Sequence, residues 1–413
     1  MKDMKLFFRE NYLSKMRGFY NATDLIKVIT GIRRCGKSCI MQMIAEELIL
    51  KGVPEGNIVF INLDKRGFRN ITTQDKLDEL IYSLTKDING VKYLFIDEIQ
   101  NVRNFETVIN GFREESDYSI FITGSNSYLL SGELATKLTG RYVSFEIFPL
   151  TFGEYIKMKE FYNISVSSNL NEEFENYANE GGFPRTVFFD NASDKRDYVK
   201  ELVNEIFEKD IKRRIIIRKK ETFNLVRDYL INNYGSTTSI NNILKELNKS
   251  GFVISKATLL KYVRVLVEAK ILYECKRFDM KSKKIFSGEK KYYIADLSLS
   301  FVTNPDSSLN FGQILENMVY IYSRFLGYEP SVGRIGKLEC DFILKDKFLN
   351  YSYVQVAYLM LHSKDTEDRE YRPLENIKDN YPKYILTDDE LIQKRNGIKH
   401  FNVLKFMLSE ERF

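Results

Sequence analysis

Tryptophan is absent from the 413 residues, and histidine occurs only at His362 and His400. So few histidines argue against a Cys/His zinc site and against a histidine-based triad. The four cysteines, Cys35, Cys39, Cys275 and Cys340, have no paired spacing. A disulfide framework is therefore not expected, and a reducing, cytoplasmic setting is. Only 7 prolines are present, which suits helices and strands rather than a proline-rich tail. No uninterrupted apolar run is long enough to span a bilayer, so a membrane partner is not expected. The stretch Met1–Lys15 carries charges and lacks a long apolar core, so it does not read as a signal peptide. There is no internal repeat and no low-complexity block. The net charge of +5 permits nucleic-acid binding without arguing for it. What is present is core material: 44% hydrophobic and 14% aromatic residues, in a length that suits two to four domains.

One stretch organises the rest. Val28-Ile29-Thr30 is a short apolar run, and Gly31-Ile32-Arg33-Arg34-Cys35-Gly36-Lys37-Ser38 follows with the spacing G-x-x-x-x-G-K-[ST]. After it, Ile40, Met43, Ile44 and Leu48 recur at helical spacing. A strand, a glycine loop and a helix in that order can cradle a nucleoside triphosphate. Gly31 and Gly36 let backbone N–H groups point inward, and the helix adds its positive end. Lys37 is expected to reach the β- and γ-phosphates, and Ser38 to ligate Mg²⁺. Of Arg33 and Arg34, one is expected near phosphate and the other in solvent.

Strand and helix patterns alternate over the first 150 residues. Strands are expected at Leu25–Thr30, Ile58–Leu63, Val91–Ile96, Tyr118–Thr123 and Tyr142–Ile147, with helices between them, including Leu129–Leu138. This is the pattern of a parallel sheet covered on both faces. The third strand ends in Asp97-Glu98, at the carboxyl end where such sheets bind ligands. Neighbouring strand residues point to opposite sides. Asp97 is therefore assigned to the Mg²⁺ shell, and Glu98 to polarising the water that attacks the γ-phosphate.

A strand inserted between the loop strand and the Asp-Glu strand, with an acid beside the metal ligand, resembles the additional-strand, AAA+-like branch of P-loop ATPases. In order, Gly31–Ser38, Phe95-Ile96-Asp97-Glu98-Ile99-Gln100, Ile122-Thr123-Gly124-Ser125-Asn126-Ser127, Gly140-Arg141-Tyr142 and Phe148-Pro149-Leu150-Thr151-Phe152-Gly153-Glu154-Tyr155 resemble one family. It is the prokaryotic AAA-family ATPases with an uncharacterised conserved C-terminal domain. The likeness extends through Gly181-Gly182-Phe183-Pro184 and over most of the chain. It implies ATP and Mg²⁺ as ligands. It also implies a γ-phosphate sensor at Asn126, with Ser125 as second choice. Arg141 is then either an arginine finger acting on a neighbouring copy or a structural partner of a sheet-edge acid. Pro184 is either an apolar wall for adenine or part of a plain turn.

Beyond residue 205, the run Lys209–Lys220 is the densest basic cluster, expected as a basic helix that either contacts phosphates or forms a solvated hinge. Helical patterns at Phe223–Asn232, Ser239–Asn248 and Ser255–Ala269 are followed by strand patterns at Leu272–Arg277 and Lys291–Ala295. That order reads as a winged helix. Double-stranded DNA would meet Lys256, Lys261 and Arg264 on the third helix, and Lys283 and Lys284 in the wing; the alternative is a connector without DNA contact.

Glu316 on a helix, Asp341 on a strand and Gln355 on the next strand resemble the restriction-endonuclease-like PD-(D/E)XK layout. The position for its lysine is Ala357. Arg369, Arg372, Lys378 and Lys383 lie farther along as substitutes. The module therefore reads as a degenerate nuclease.

The expected organisation is α/β throughout: a parallel-sheet P-loop ATPase core over 1–150 and a helical lid with a basic linker over 151–220. A winged-helix module over 221–300 and a nuclease-like module over 301–413 follow. The expected activity is Mg²⁺-dependent ATP hydrolysis coupled to conformational change and to DNA or a protein partner, with a homo-oligomer open. The alternatives are an ADP/ATP-dependent binding switch and a DNA nuclease.

Overall fold

The computed structural model describes residues 5–124, 138, 140–212, 214–280, 284–304, 309–336 and 338–413. The chain divides into two compact units, Met1–Ile147 and Phe148–Phe413.

In the first unit, strands β1 (Ile26–Thr30), β2 (Ile58–Asn62), β3 (Lys92–Asp97), β4 (Tyr118–Thr123) and β5 (Tyr142–Glu146) form one sheet in the order β2-β3-β4-β1-β5. Every pairing is parallel. All five fall where the apolar runs placed them. The side chains alternate as a two-residue period requires. Leu94 and Ile96 face a core shared with Leu77 and Ile81 of the helix Gln74–Thr85 and Phe105, Ile109 and Phe112 of the helix Phe105–Glu114. Phe95 points the other way, into a stack with Phe60 and Phe121 at 4.6 and 4.7 Å. The expected helix Leu129–Leu138 lies outside the described residues, except for Leu138.

One expectation needs correcting. The strand that stands between the loop strand and the Asp-Glu strand in sequence is β2, but β2 goes to the sheet edge. The strand inserted between them in space is β4. The tip of β4, not of β2, therefore separates the phosphate loop from Asp97.

Lys27, in the middle of the apolar run of β1, is fully buried. Its ammonium lies 4.6 Å over the Phe121 ring and donates to the carbonyls of Ala22 (2.6 Å) and Leu25 (3.0 Å) and to Ser119 Oγ (2.9 Å). Burial pushes its pKa down to about 7, against a smaller opposing pull from Asp24. Between pH 7 and 10.5 the unfolded chain then binds a proton that the folded chain does not, so stability rises with pH across that window. Lys27→Met should flatten this rise. Urea unfolding of parent and variant at pH 7 and pH 9 checks it, and equal slopes would refute it.

In the second unit, helices Phe152–Phe161, Leu170–Glu180 and Ala192–Ile206 come first. Thr151 and Glu154 form a reciprocal capping box, with Glu154 N–H on Thr151 Oγ1 (3.3 Å) and Thr151 N–H on Glu154 Oε2 (3.1 Å). Gly153 between them faces the Met407 carbonyl, where a Cβ would sit 2.8 Å away. The Thr-Phe-Gly-Glu-Tyr run thus has a local structural reason.

Helices Lys220–Asn232, Ile240–Lys249 and Lys256–Glu268 precede β6 (Leu272–Asp279) and β7 (Lys284–Ile294). Then come the helix Phe311–Leu326, β8 (Glu329–Ile335), β9 (Leu338–Lys345), β10 (Tyr351–Val356), β11 (Lys383–Thr387) and β12 (Lys399–Asn402). These strands make one mixed sheet in the order β12-β11-β10-β9-β8-β6-β7. The hairpin expected as a free wing is therefore not one: β6 pairs in parallel with β8, so the sheet crosses the expected boundary at residue 300. Local periodicity found the strands. Only pairing across some 55 residues of sequence could show which sheet they join.

The basic run Lys209–Lys220 is likewise not one helix. A π-turn at Phe207–Ile211 closes the preceding helix, and the next begins at Lys220. Lys209 pairs with Glu205 (2.7 Å), Lys212 with Glu208 (2.8 Å) and Arg214 with Glu268 (3.6 Å). Much of this charge is already matched by acids of the same chain. Arg213 lies outside the described residues.

Candidate functional site

The loop Gly31–Ser38 leaves the carboxyl end of β1. Gly31 has φ +146°, and a Cβ there would sit 2.1 Å from the Ile147 carbonyl oxygen. Gly36 has φ +105° and stands at the start of the helix Lys37–Leu50, which has no side-chain cap. The first N–H groups of that helix are consequently left for an anion. Ile32 and Cys35 are fully buried, so their side chains hold the loop down rather than face a ligand. Burial also pushes the Cys35 thiol up, keeping it protonated. Arg33 is buried and Arg34 exposed. Lys37 Nζ lies within the loop, donating to the carbonyls of Gly31 (3.1 Å) and Ile32 (3.2 Å).

Three segments converge on Asp97, which is 4% exposed. Its Oδ2 accepts from Ser38 Oγ at 2.7 Å and from Asn62 Nδ2, at the end of β2, at 2.8 Å. Its Oδ1 accepts from Thr123 Oγ1 at the end of β4. The hydroxyl and carboxylate assigned to Mg²⁺ are thus in direct contact. This donor set fits a hard cation: a hydroxyl and a carboxylate, both oxygen donors, beside an uncapped helix start.

Glu98 adopts φ +60°, a conformation that costs a non-glycine residue energy and recurs at functional sites. Its N–H donates to Thr123 Oγ1 (3.2 Å), and its carboxylate accepts from Gln100 Nε2. Burial raises its pKa, assisted by the Asp97 charge, while Lys37, Arg33 and the Gln100 hydrogen bond pull the other way. The net effect is a more basic carboxylate beside the phosphate loop.

Three contributors were not read from the sequence. Asn62 and Thr123 each end an apolar strand with a polar residue, and that signal was there to be used. Arg9 was not legible: it is 4% exposed and donates through Nη1 to the Cys35 carbonyl (3.1 Å), while its guanidinium lies 4.6 Å over the Tyr12 ring. It props the loop from behind, across 26 residues of sequence.

Arg141 stands at the opposite, amino-terminal end of the sheet, where its neighbour Tyr142 is in register with Ile26. At about 3.3 Å per residue, roughly 13 Å of strand separates that end from Thr30. Its Nη1 donates to Asn110 Oδ1 (3.3 Å). Asn126, with Ser125 and Ser127, lies outside the described residues.

In the second unit, Pro184 opens the turn Pro184–Phe188 and is half-buried. Lys256, Lys261 and Arg264 are exposed on the helix Lys256–Glu268. Lys283 lies outside the described residues, and Lys284 is the first residue of β7. Glu316, Asp341 and Gln355 do come together. Gln355 Oε1 accepts from the Asp341 N–H (3.3 Å), and Glu316 Oε1 and Asp341 Oδ1 lie 2.8 and 3.9 Å from one ammonium. That ammonium belongs to Lys291 of β7. Of the proposed substitutes, Arg369 reaches the cluster only through Glu370, with which it pairs (3.0 Å) and which accepts from Gln355, while Lys378 and Lys383 donate to the carbonyls of Glu375 and Ile377.

A five-stranded parallel sheet with a glycine loop after β1 and Asp-Glu after β3 is a P-loop ATPase core, and a family model described as an AAA domain matches residues 23–156. The first unit is accordingly of the AAA-type P-loop class, which supports ATP binding. A second model, a domain of unknown function (DUF8612), matches residues 171–304. An uncharacterized protein of Haemophilus influenzae is 32% identical over 404 residues, 97% of this chain and 98% of that protein. Uncharacterized protein MJ1544 of Methanocaldococcus jannaschii is 33% identical over 390 residues, 89% and 83% of the two chains. The chain belongs to the family of these two proteins. Among solved structures, the Walker-type ATPase PABY2304 of Pyrococcus abyssi is similar with a TM-score of 0.49 and 17% identity, over 74% of this chain and 97% of that one. Among the described residues no helix is long and apolar enough to cross a membrane.

Proposed function

We propose that the chain is a cytoplasmic, Mg²⁺-dependent ATPase whose turnover drives conformational change in the second unit. The observation that carries this reading is the 2.7 Å contact between Ser38 Oγ and Asp97 Oδ2, beside an uncapped helix start and the Lys37 ammonium. Bound between them, Mg²⁺ would neutralise charge on the β- and γ-phosphates. Lys37 moves from the loop carbonyls to the phosphates, and the helix N–H groups hold the remaining oxygens. Glu98, kept basic by burial, takes the proton of the attacking water. Asn126 senses the γ-phosphate. Arg141, far from its own loop, serves a neighbouring copy in a homo-oligomer.

The exposed cations Lys256, Lys261 and Arg264 make double-stranded DNA the ligand we infer for the second unit. Such contacts would weaken steeply with salt. The decisive experiment is ATP hydrolysis by the purified chain with Mg²⁺, with and without duplex DNA. Phosphate release that needs Mg²⁺ and disappears in Lys37→Ala is expected. No hydrolysis under any condition would refute the enzyme.

One observation favours a second reading. The Glu98 carboxylate accepts from Gln100 Nε2 through Oε2, a contact that fixes its orientation. In a slow switch that contact persists, and ADP would stay bound through purification. Nucleotide analysis of the purified chain separates the two readings.

A further inference from the structure

The nuclease-like layout of the second unit implies a divalent cation held by Glu316 and Asp341, and the residues present do not fit one. Lys291 is 7% exposed in its side chain, and its ammonium lies 2.8 Å from Glu316 Oε1, 3.0 Å from Glu339 Oε1 and 3.9 Å from Asp341 Oδ1. Further donors converge on the same three carboxylates. Glu316 Oε1 accepts from Tyr293 Oη (2.6 Å), Glu339 Oε2 from Arg277 Nη2 (3.2 Å) and Asp341 Oδ2 from the Val356 N–H (2.9 Å). Gln355 turns its amide NH₂ to Glu370 Oε2 (2.9 Å). A Mg²⁺ ion needs oxygens at about 2.1 Å on several sides and cannot share that point with an ammonium. Among the described residues no group of three Asp, Glu, His or Cys side chains is set to hold a metal ion.

We propose that the Lys291 ammonium stands permanently in the place of the divalent cation, so that the cluster is an internal cation site tying β7, the helix Phe311–Leu326 and β9 together, and the unit does not cut DNA. The chemistry is charge matching in a partly dry site. Three carboxylates so close together repel, and a buried group left without its counter-charge is costly. A lysine supplies one charge on a flexible stem and needs no uptake from solution. The lysine missing at position 357 has therefore not been replaced as a catalyst. A lysine from another strand fills the metal's place instead. This inference is independent of the nucleotide reading, since every residue in it lies in the second unit.

The test is a Mn²⁺ titration of the nucleotide-free chain followed by electron paramagnetic resonance. Lys291→Ala should bind one Mn²⁺ per chain more than the parent, and Lys291→Ala/Glu316→Gln should lose it again. Mn²⁺ should also raise the melting temperature of Lys291→Ala by several degrees and leave the parent unmoved. No extra ion in a folded Lys291→Ala, or a parental Mn²⁺ site that Asp341→Asn removes, would overturn the proposal. A second measurement does not depend on any variant folding. The parental chain should leave supercoiled DNA intact in Mg²⁺ or Mn²⁺, and nicking by the parent would overturn it.

Discussion

Glu98→Gln should lower ATP turnover by ~10²–10³-fold and leave nucleotide affinity within a few-fold of the parent. Glutamine has nearly the same shape and still meets Gln100, so the loop after β3 has no reason to move. It cannot accept a proton, which is the property that burial tunes at this position. Because the carboxylate is more basic than usual, the parental rate should begin to fall on acidification above pH 4.5, its ordinary value. Below that point the base is protonated and cannot act. Lys37→Ala should behave differently. It removes the charge that meets phosphate, so affinity should fall together with rate. Steady-state phosphate release and a fluorescent-nucleotide titration on the same preparations distinguish the two. A Glu98→Gln chain that turns over like the parent removes Glu98 from the mechanism and leaves the binding site standing.

Gly182→Ala should destabilise the second unit by about 4 kcal/mol or more, among the largest effects a single methyl group can produce. A Cβ at residue 182 would lie 2.1 Å from the Leu150 carbonyl oxygen, a backbone atom that cannot rotate away. The Leu150 N–H donates to the Gly182 carbonyl at 2.6 Å, so the two strands of chain are pinned at that spacing. On its other side the Gly182 N–H donates to Asp296 Oδ2 (2.7 Å). Gly181 is equally constrained. It has φ +73°, and a Cβ would overlap Asp296 Oδ1 at 1.8 Å. Asp296 is fully buried and also accepts from the Ser298 N–H (3.0 Å) and hydroxyl. Thermal melting read by circular dichroism, with Gly56→Ala as an exposed-site control where nothing lies within 4 Å of the added carbon, checks the claim. A Gly182→Ala chain that melts with the parent would show that Leu150 and Asp296 do not fix this turn.

The Gly-Gly-Phe-Pro run shows that a motif can have a packing role that its resemblance did not imply. Its resemblance pointed to adenine and Pro184. The two glycines have a sufficient reason in packing alone, one that involves Leu150 and Asp296, residues 32 and 114 positions from Gly182. The phosphate loop is the opposite case. Its glycines, lysine and serine act over eight consecutive residues, and the strand and helix around them are periodic. The local pattern therefore contained the loop itself, while its contact with Asp97, 59 positions from Ser38, came with the folding of the sheet.

The sequence by itself determined what depends on neighbours in the chain: the five strands of the first sheet, the phosphate loop, the Asp97-Glu98 pair, and the three helices Lys220–Asn232, Ile240–Lys249 and Lys256–Glu268. These follow from side-chain periodicity and backbone freedom, which act over a few residues. The tertiary structure alone decided which strand lies between β1 and β3, that β6 and β7 join the sheet of β8–β12, that Arg9 supports the loop from behind, and that Lys291 fills the acidic cluster of Glu316, Glu339 and Asp341. Each of these joins residues far apart in sequence. Such pairings depend on which buried charges and open strand edges meet once the chain is compact, and no local pattern records that.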